Sequence, residues 1–198
     1  MVPILLLAAG RSSRMGGQDK LLQLVDGVPL LRLQAQNALD AGEQVIVCLP
    51  PPPHPRTQIL NDLPVDFVVV DADPPAMSAS LQAGIRALPA SASGVLVHLA
   101  DMPELTRTDL AALLAAREKH PDALVWRGAT AEGTPGHPVL FDASLFPQFD
   151  DLSGDEGARP VIRAAAGSVA TVDLPAMHAI TDLDTPEAWA AWRARTGR

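Results

Sequence analysis

Chemistry concentrates first at the start of the chain. The apolar run Val2-Pro3-Ile4-Leu5-Leu6-Leu7 passes directly into Ala8-Ala9-Gly10-Arg11-Ser12-Ser13-Arg14-Met15-Gly16-Gly17-Gln18-Asp19-Lys20. Small residues let a backbone approach a ligand closely, and successive backbone N–H groups form a concave anion site. Arg14 and Lys20 add positive charge where such a loop would hold phosphates. This is not a Walker A loop, because Arg11 to Met15 separate Gly10 from Gly16 and no Gly-Lys-Ser/Thr follows. Nor is it the Gly-x-Gly-x-x-Gly of a dinucleotide fold.

Carboxylates form the second group. Asp101 stands after His98-Leu99-Ala100 and before Met102-Pro103, a turn that exposes its side chain. A carboxylate beside a triphosphate repels it unless a divalent cation intervenes. Mg²⁺ suits that place, since it takes one or two carboxylates together with phosphates and waters. Asp182 and Asp184 lie two residues apart in Thr181-Asp182-Leu183-Asp184-Thr185-Pro186 and would point the same way if extended. Asp184 is a candidate second metal carboxylate; Asp184 or Thr185 is also a candidate cap for the helix that Pro186 opens. His137, in Gly133-Thr134-Pro135-Gly136-His137-Pro138, is open to substrate contact or to loop packing. Arg159, after a polar turn, is either a solvated cation or a ligand for an acceptor phosphate. Cys48 lies in an apolar run and reads as a core thiol. No nucleophile motif accompanies it, and phosphoryl-type transfer needs none.

These groups need elements to position them. Val2–Leu7, Gln44–Leu49, Val65–Val70 and Gly94–Leu99 read as buried strands. Helices are expected over Pro29–Leu39, Thr57–Leu60, Met77–Leu88, Thr108–Lys119 (capped by Thr106 or Thr108), Pro160–Ala166 and Pro186–Arg195. Further strands are expected at Ala123–Trp126, Val139–Phe141 and Ser168–Val172. Pro50–Pro53 with His54-Pro55 is a loop. This alternation predicts an α/β domain over residues 1–198, with a mainly parallel twisted sheet covered by helices on both faces. Ligands then bind beyond the carboxyl ends of the strands, where the first and fourth strands both end in polar turns.

Composition narrows the partners. The 198 residues carry a net charge of −8, which argues against nucleic-acid binding. No run approaches the ~20 apolar residues of a membrane span, and the start lacks a basic leader, so a cytoplasmic protein without membrane partners is expected.

In order along the chain, Leu7-Ala8-Ala9-Gly10-x-Ser12-x-Arg14-Met15-Gly16, Leu99-Ala100-Asp101-Met102-Pro103, Thr134-Pro135-Gly136-His137-Pro138 and Asp182-Leu183-Asp184-Thr185-Pro186 resemble the motifs of molybdenum cofactor cytidylyltransferases. These are Rossmann-like NTP-transferase domains similar to the molybdopterin guanylyltransferases. The resemblance implies that CTP condenses with the terminal phosphate of molybdopterin, with Mg²⁺ as cofactor and pyrophosphate as leaving group. A client molybdoenzyme is the implied partner. It further implies that Leu7, Ala8, Ala9, Gly10, Ser12 and Ser80 contact the nucleotide. Arg14, Lys20 and Asp101 would act in catalysis, and Asp101 and Asp184 would hold the metal. His137, Arg159 and Asp182 would face the acceptor. Gly16-Gly17-Gln18-Asp19-Lys20 instead resembles a guanylyltransferase motif, and Ala76 stands where the family often has Gly. Ala9, commonly Gly in guanylyltransferases, and the Asp-x-Asp pair favour CTP. A guanylyltransferase using GTP on molybdopterin or another phosphorylated acceptor remains the alternative, and a non-catalytic nucleotide- or cofactor-binding accessory protein is a third reading, which Lys20 and both acids oppose.

Overall fold

The computed structural model describes residues 1–42, 44–72 and 76–198. Strands are β1 (Ile4–Leu7), β2 (Leu24–Val25), β3 (Val28–Pro29), β4 (Val45–Leu49), β5 (Asp66–Val69), β6 (Gly94–Leu99), β7 (Val125–Ala129), β8 (Pro135–Asp142) and β9 (Val169–Asp173). Helices are α1 (Leu30–Ala41), α2 (Pro55–Gln58), α3 (Met77–Arg86), α4 (Arg107–Lys119), α5 (Arg159–Ala164) and α6 (Pro186–Thr196).

Seven strands form one sheet in the order β5-β4-β1-β6-β8-β7-β9. All pairings are parallel except those of β8, which runs against β6 and β7. The α/β fold is therefore the expected one. The continuous apolar character of β1, β4 and β6 follows from burial on both faces. Side chains alternate across the sheet: Ile4 and Leu6 join α1, α4 and α6 in one core, while Leu5 packs with Leu81 of α3, Val161 of α5 and Phe149 in the other.

The chain leaves β1 toward β4 on one side, and β6 opens the other half of the sheet. The order therefore reverses between β1 and β6, and a crevice opens beyond their carboxyl ends.

Element boundaries depart from expectation where tertiary pairing overrides local signals. Pro29 belongs to the β2–β3 hairpin, so α1 begins at Leu30 and continues to Ala41. The short second helix begins at Pro55, a good first-turn residue, and ends at Gln58. Helix α3 ends at Arg86, and β7 runs from Val125 to Ala129. The largest correction concerns β8. Pro135 to Pro138, expected as loop, belongs to this eight-residue strand, so His137 is a strand residue. Two glycines allow the close approach. A Cβ on Gly136 would stand 1.8 Å from the Ala179 carbonyl oxygen, and one on Gly128 would stand 2.6 Å from that of His137. The register between β7 and β8 shifts between Arg127 and Ala129.

Candidate active site

The loop after β1 is braced from beneath. Arg56 of α2, only 2 % exposed, donates from Nε and Nη2 to the two carboxylate oxygens of Asp19, each at 2.7 Å. Its Nη1 donates to the carbonyls of Ala8 (2.6 Å) and Gly10 (2.7 Å), and Nη2 reaches Ser12 Oγ at 3.1 Å. The backbone carbonyls at the end of β1 thus point down onto a guanidinium, and the small residues Ala8 to Gly10 face the crevice. Burial opposes ionisation of Asp19, but the hydrogen bonds and charge of Arg56 prevail and hold its pKa below the ordinary value. Sequence reasoning missed Arg56, which looks like one more cation in a proline-rich segment.

Ser12 stands inside the loop. Its Oγ donates to Asp19 (3.2 Å) and accepts from the Lys20 backbone N–H (3.2 Å), so it ties the loop together. Asp19 also caps the turn beginning at Lys20 by accepting from Leu21 N–H at 3.0 Å.

That bracing aims Lys20 at the acids. Its Nζ donates to Asp101 Oδ2 and, at 2.5 Å, to Asp184 Oδ1. Arg14 donates to Asp184 Oδ2 at 2.5 Å. Asp184, from near the far end of the chain, therefore shares the Lys20 ammonium with Asp101 from the end of β6. The Leu183 N–H to Asp101 carbonyl bond (3.1 Å) joins the two carboxylate segments directly. Thr185, not Asp184, caps α6 by accepting from Ala188 N–H, which leaves the Asp184 carboxylate to the cations. Desolvation disfavours the charged Lys20, yet the nearby Asp101 and Asp184 outweigh it and raise its pKa.

The acids suit a divalent cation. Two carboxylates already converge on one cation position, and Asp101 Oδ1 is buried without a partner. Among the described residues no group of three or more His, Cys, Asp or Glu side chains is placed to hold a metal. A hard cation here would complete its shell with phosphate oxygens and water, the usual habit of Mg²⁺.

Two adjoining clefts lie here, and Lys20 and Asp101 line the first. The first is lined by Leu7, Ala8, Ala9, Gly10, Lys20, Ser80 and Asp101, so most residues expected at the nucleotide come together there. The second is lined by His137, Arg159 and Asp182, the expected acceptor residues, together with Arg127. Leu7, Met77, Leu99 and Asp155 border both. Asp182 lines the second cleft, while Asp184 is held by Lys20 and Arg14. Burial first, then the nearby Asp101 and Asp184, raises the pKa of Asp182. Burial, reinforced by Arg127, pushes His137 down to about 4, so its ring is neutral near pH 7. Cys48 is buried, donates to the Ser80 carbonyl, and has its pKa pushed up to about 12 by burial; it is an inert core thiol.

Residues 4–172 match the MobA-like NTP transferase domain. The chain belongs to that family. The transferase is 29 % identical over 192 residues to the purine catabolism protein PucB of Bacillus subtilis, covering 91 % of this chain and 90 % of PucB. The solved homolog of Rv0371c from Mycobacterium sp. strain JC1 superposes with a TM-score of 0.81 at 28 % identity, covering 98 % of this chain and 96 % of that one. Rv0371c of Mycobacterium tuberculosis, solved in complex with manganese, matches with a TM-score of 0.80 at 23 % identity over 96 % of both chains. The transferase is accordingly a nucleotidyltransferase acting on small-molecule nucleotide substrates. Among the described residues of the transferase no helix is long and apolar enough to cross a membrane.

Proposed function

We propose that the transferase moves CMP from CTP to the terminal phosphate of molybdopterin and releases pyrophosphate. The observation that carries this reading is that two clefts share a border at Leu7, Met77, Leu99 and Asp155, with Lys20 and Asp101 of the charged cluster lining the first. One cleft fits a nucleotide and the other an anionic acceptor. An acceptor phosphate oxygen attacks the α-phosphorus, the bond to the bridging oxygen of the β-phosphate breaks, and pyrophosphate leaves.

Each side chain has a part in that displacement. Leu7 to Gly10 provide a close backbone surface for the nucleotide, and Ser80 approaches its base or ribose. Lys20 leaves the carboxylates to neutralise charge building on the phosphates, and Arg14 assists from the rim. Asp101 and Asp184 would hold Mg²⁺, which when bound polarises phosphoryl oxygens as a Lewis acid. His137, Arg159 and Asp182 face the acceptor.

CTP is favoured by Ala9, whose methyl lies in the lining of the first cleft. The guanylyltransferase-like Gly16-Gly17-Gln18-Asp19-Lys20 carries less weight than its pattern suggests. Asp19 is engaged by Arg56, while Gly16 and Gly17 adopt φ of +60° and +89°, so the motif shapes the loop. PucB is named for purine catabolism, which supports a client molybdoenzyme in purine breakdown.

Incubation with each NTP, Mg²⁺ and molybdopterin, with pyrophosphate as readout, tests the proposal. Turnover is expected with CTP. A higher kcat/KM for GTP overturns the cytidylyl assignment, and absence of turnover with every NTP overturns molybdopterin as acceptor.

A further inference from the structure

The second cleft contains two arginines that form no ion pair among the described residues. Arg127 of β7 is half-buried, and its Nε donates to the Gly136 carbonyl at 3.0 Å while Nη2 points to that of Pro135 at 3.4 Å. Its Nη1 has no protein partner among the described residues. Arg159, at the start of α5, is exposed and its guanidinium likewise has none. Both line the same cleft. Nearby acids are otherwise engaged: Glu156 pairs with Arg163 at 2.9 Å, and Asp155 accepts from Met77 N–H at 3.1 Å. Asp182 also lines the cleft and stands close enough to Asp101 and Asp184 to feel their charge, which raises its pKa after burial.

The fold constructs this arrangement. Arg127 stands at the register shift between β7 and β8, and such irregularities re-aim a side chain. Gly128 and Gly136 permit the tight approach of β8 and the Ala179 segment around it, where any Cβ would collide with a carbonyl oxygen. Two carbonyls fix the guanidinium plane. An arginine with one edge anchored and the other free is prepared to bind an oxyanion with little further ordering. The two like charges depress the pKa of Arg127, after the larger effect of its burial, and an anion between them would relieve that repulsion.

We propose that Arg127 and Arg159 form a paired-arginine site for a phosphate monoester in the second cleft. Arg127 is the fixed member, and Arg159 closes over the anion from the exposed side. His137, which lines the same cleft, is held neutral by burial and adds no charge beside the anion. The pair deepens the acceptor assignment and rests on the nucleotidyl-transfer reading only for the later fate of the bound phosphate.

The test is calorimetric titration of inorganic phosphate into the whole protein already loaded with Mg²⁺ and CTP, or GTP if GTP binds more tightly. The nucleotide then occupies the first cleft. Wild type is expected to bind phosphate, and Arg127→Gln and Arg159→Gln are each expected to weaken it at least tenfold, with nucleotide affinity unchanged within twofold. Arg127→Lys should fall between, since it retains charge but not the fork. Arg159→Gln, at an exposed position, decides the matter if Arg127→Gln fails to fold. Equal phosphate affinity in wild type and the folded variants, or no phosphate binding by wild type, overturns the paired site. Failure of molybdopterin turnover overturns molybdopterin as acceptor, whereas the phosphate titration alone judges the two arginines.

Discussion

At the residue scale, the active cluster balances charge with very few groups. Asp101 meets Lys20 and retains one buried oxygen without a partner. Asp101→Asn keeps the shape but removes the anion, so turnover should fall by several kcal/mol of barrier, on the order of 100-fold or more. Near-normal Mg²⁺-dependent pyrophosphate release by a folded Asp101→Asn protein would remove Asp101 from catalysis. Lys20 should behave differently from a simple binding group. Lys20→Ala is expected to lower kcat more than it raises KM for the NTP, because its contact with the phosphates strengthens as charge develops. A change in KM alone would make it a binding residue. Ala9 tests base selection. One methyl in a pocket is worth roughly 1–3 kcal/mol, or about 10–200-fold. Ala9→Gly should shift the kcat/KM ratio toward GTP by an amount in that range, measured by competing CTP and GTP in one reaction. An unchanged ratio places selectivity elsewhere, around Ser80.

Elements act on the site through their ends. Helix α2 is a single turn, started by Pro55 and capped by His54 Nδ1, which accepts from Arg56 N–H at 3.2 Å. Its short length suffices because its task is to deliver Arg56 beneath the loop. Arg56→Met would fill the space but leave Asp19 largely buried and unpaired, a loss on the order of 3–5 kcal/mol. Thermal and urea denaturation should register that loss, and a drop below about 1 kcal/mol would mean that Asp19 finds water instead. The same pair gives a pH dependence. The Asp19 pKa is lowered in the folded protein, so its stabilising contribution is present above the unfolded value of 3.8 and is lost as pH falls through the folded one. Helix α6 acts similarly on the other acid. Buried Glu104 accepts from Trp192 Nε1 (3.0 Å), from Arg195 and from Thr181 Oγ1 (3.2 Å), which ties α6 to the segment that carries Asp182 and Asp184.

For the whole molecule, the core carries a polar pair whose charge state depends on folding. His98 is fully buried on β6, and its Nε2 lies 2.9 Å from Gln34 Oε1 of α1. Burial above all, aided by nearby His137, pushes its pKa down to about 3 from an ordinary 6.5. Below pH 6.5 the unfolded chain binds a proton at this residue that the folded chain refuses. Stability therefore falls as pH falls, by about 1.4 kcal/mol per pH unit for this histidine, until the folded value is approached. Urea midpoints at pH 7, 6 and 5 measure the slope. The double variant Gln34→Leu with His98→Leu should flatten the part due to His98. Equal slopes in wild type and double variant between pH 6 and 5 would show that His98 does not control it.

The chain's local patterns determined a good deal of this protein. Continuous apolar runs at Ile4–Leu7, Val45–Leu49 and Gly94–Leu99 could only be strands buried on both faces, and parallel strands with helical crossovers place a ligand beyond their carboxyl ends. Lys20 and Asp101 were legible because each follows closely on such a strand. Tertiary structure alone decided the rest. Arg56 lies 37 residues from Asp19 and 48 from Ala8, and nothing local distinguishes a buried guanidinium from a solvated one. His137 lay in a Gly- and Pro-rich stretch whose composition spoke for a loop. It became part of β8 because β6 and β7 offered hydrogen-bonding edges, and because Gly128 and Gly136 leave room for neighbouring carbonyls. Arg127 acquired its place from the register shift that this pairing imposes. Periodicity records which face of an element is apolar, whereas the partner of a buried charge depends on which distant segments the packed sheet brings together.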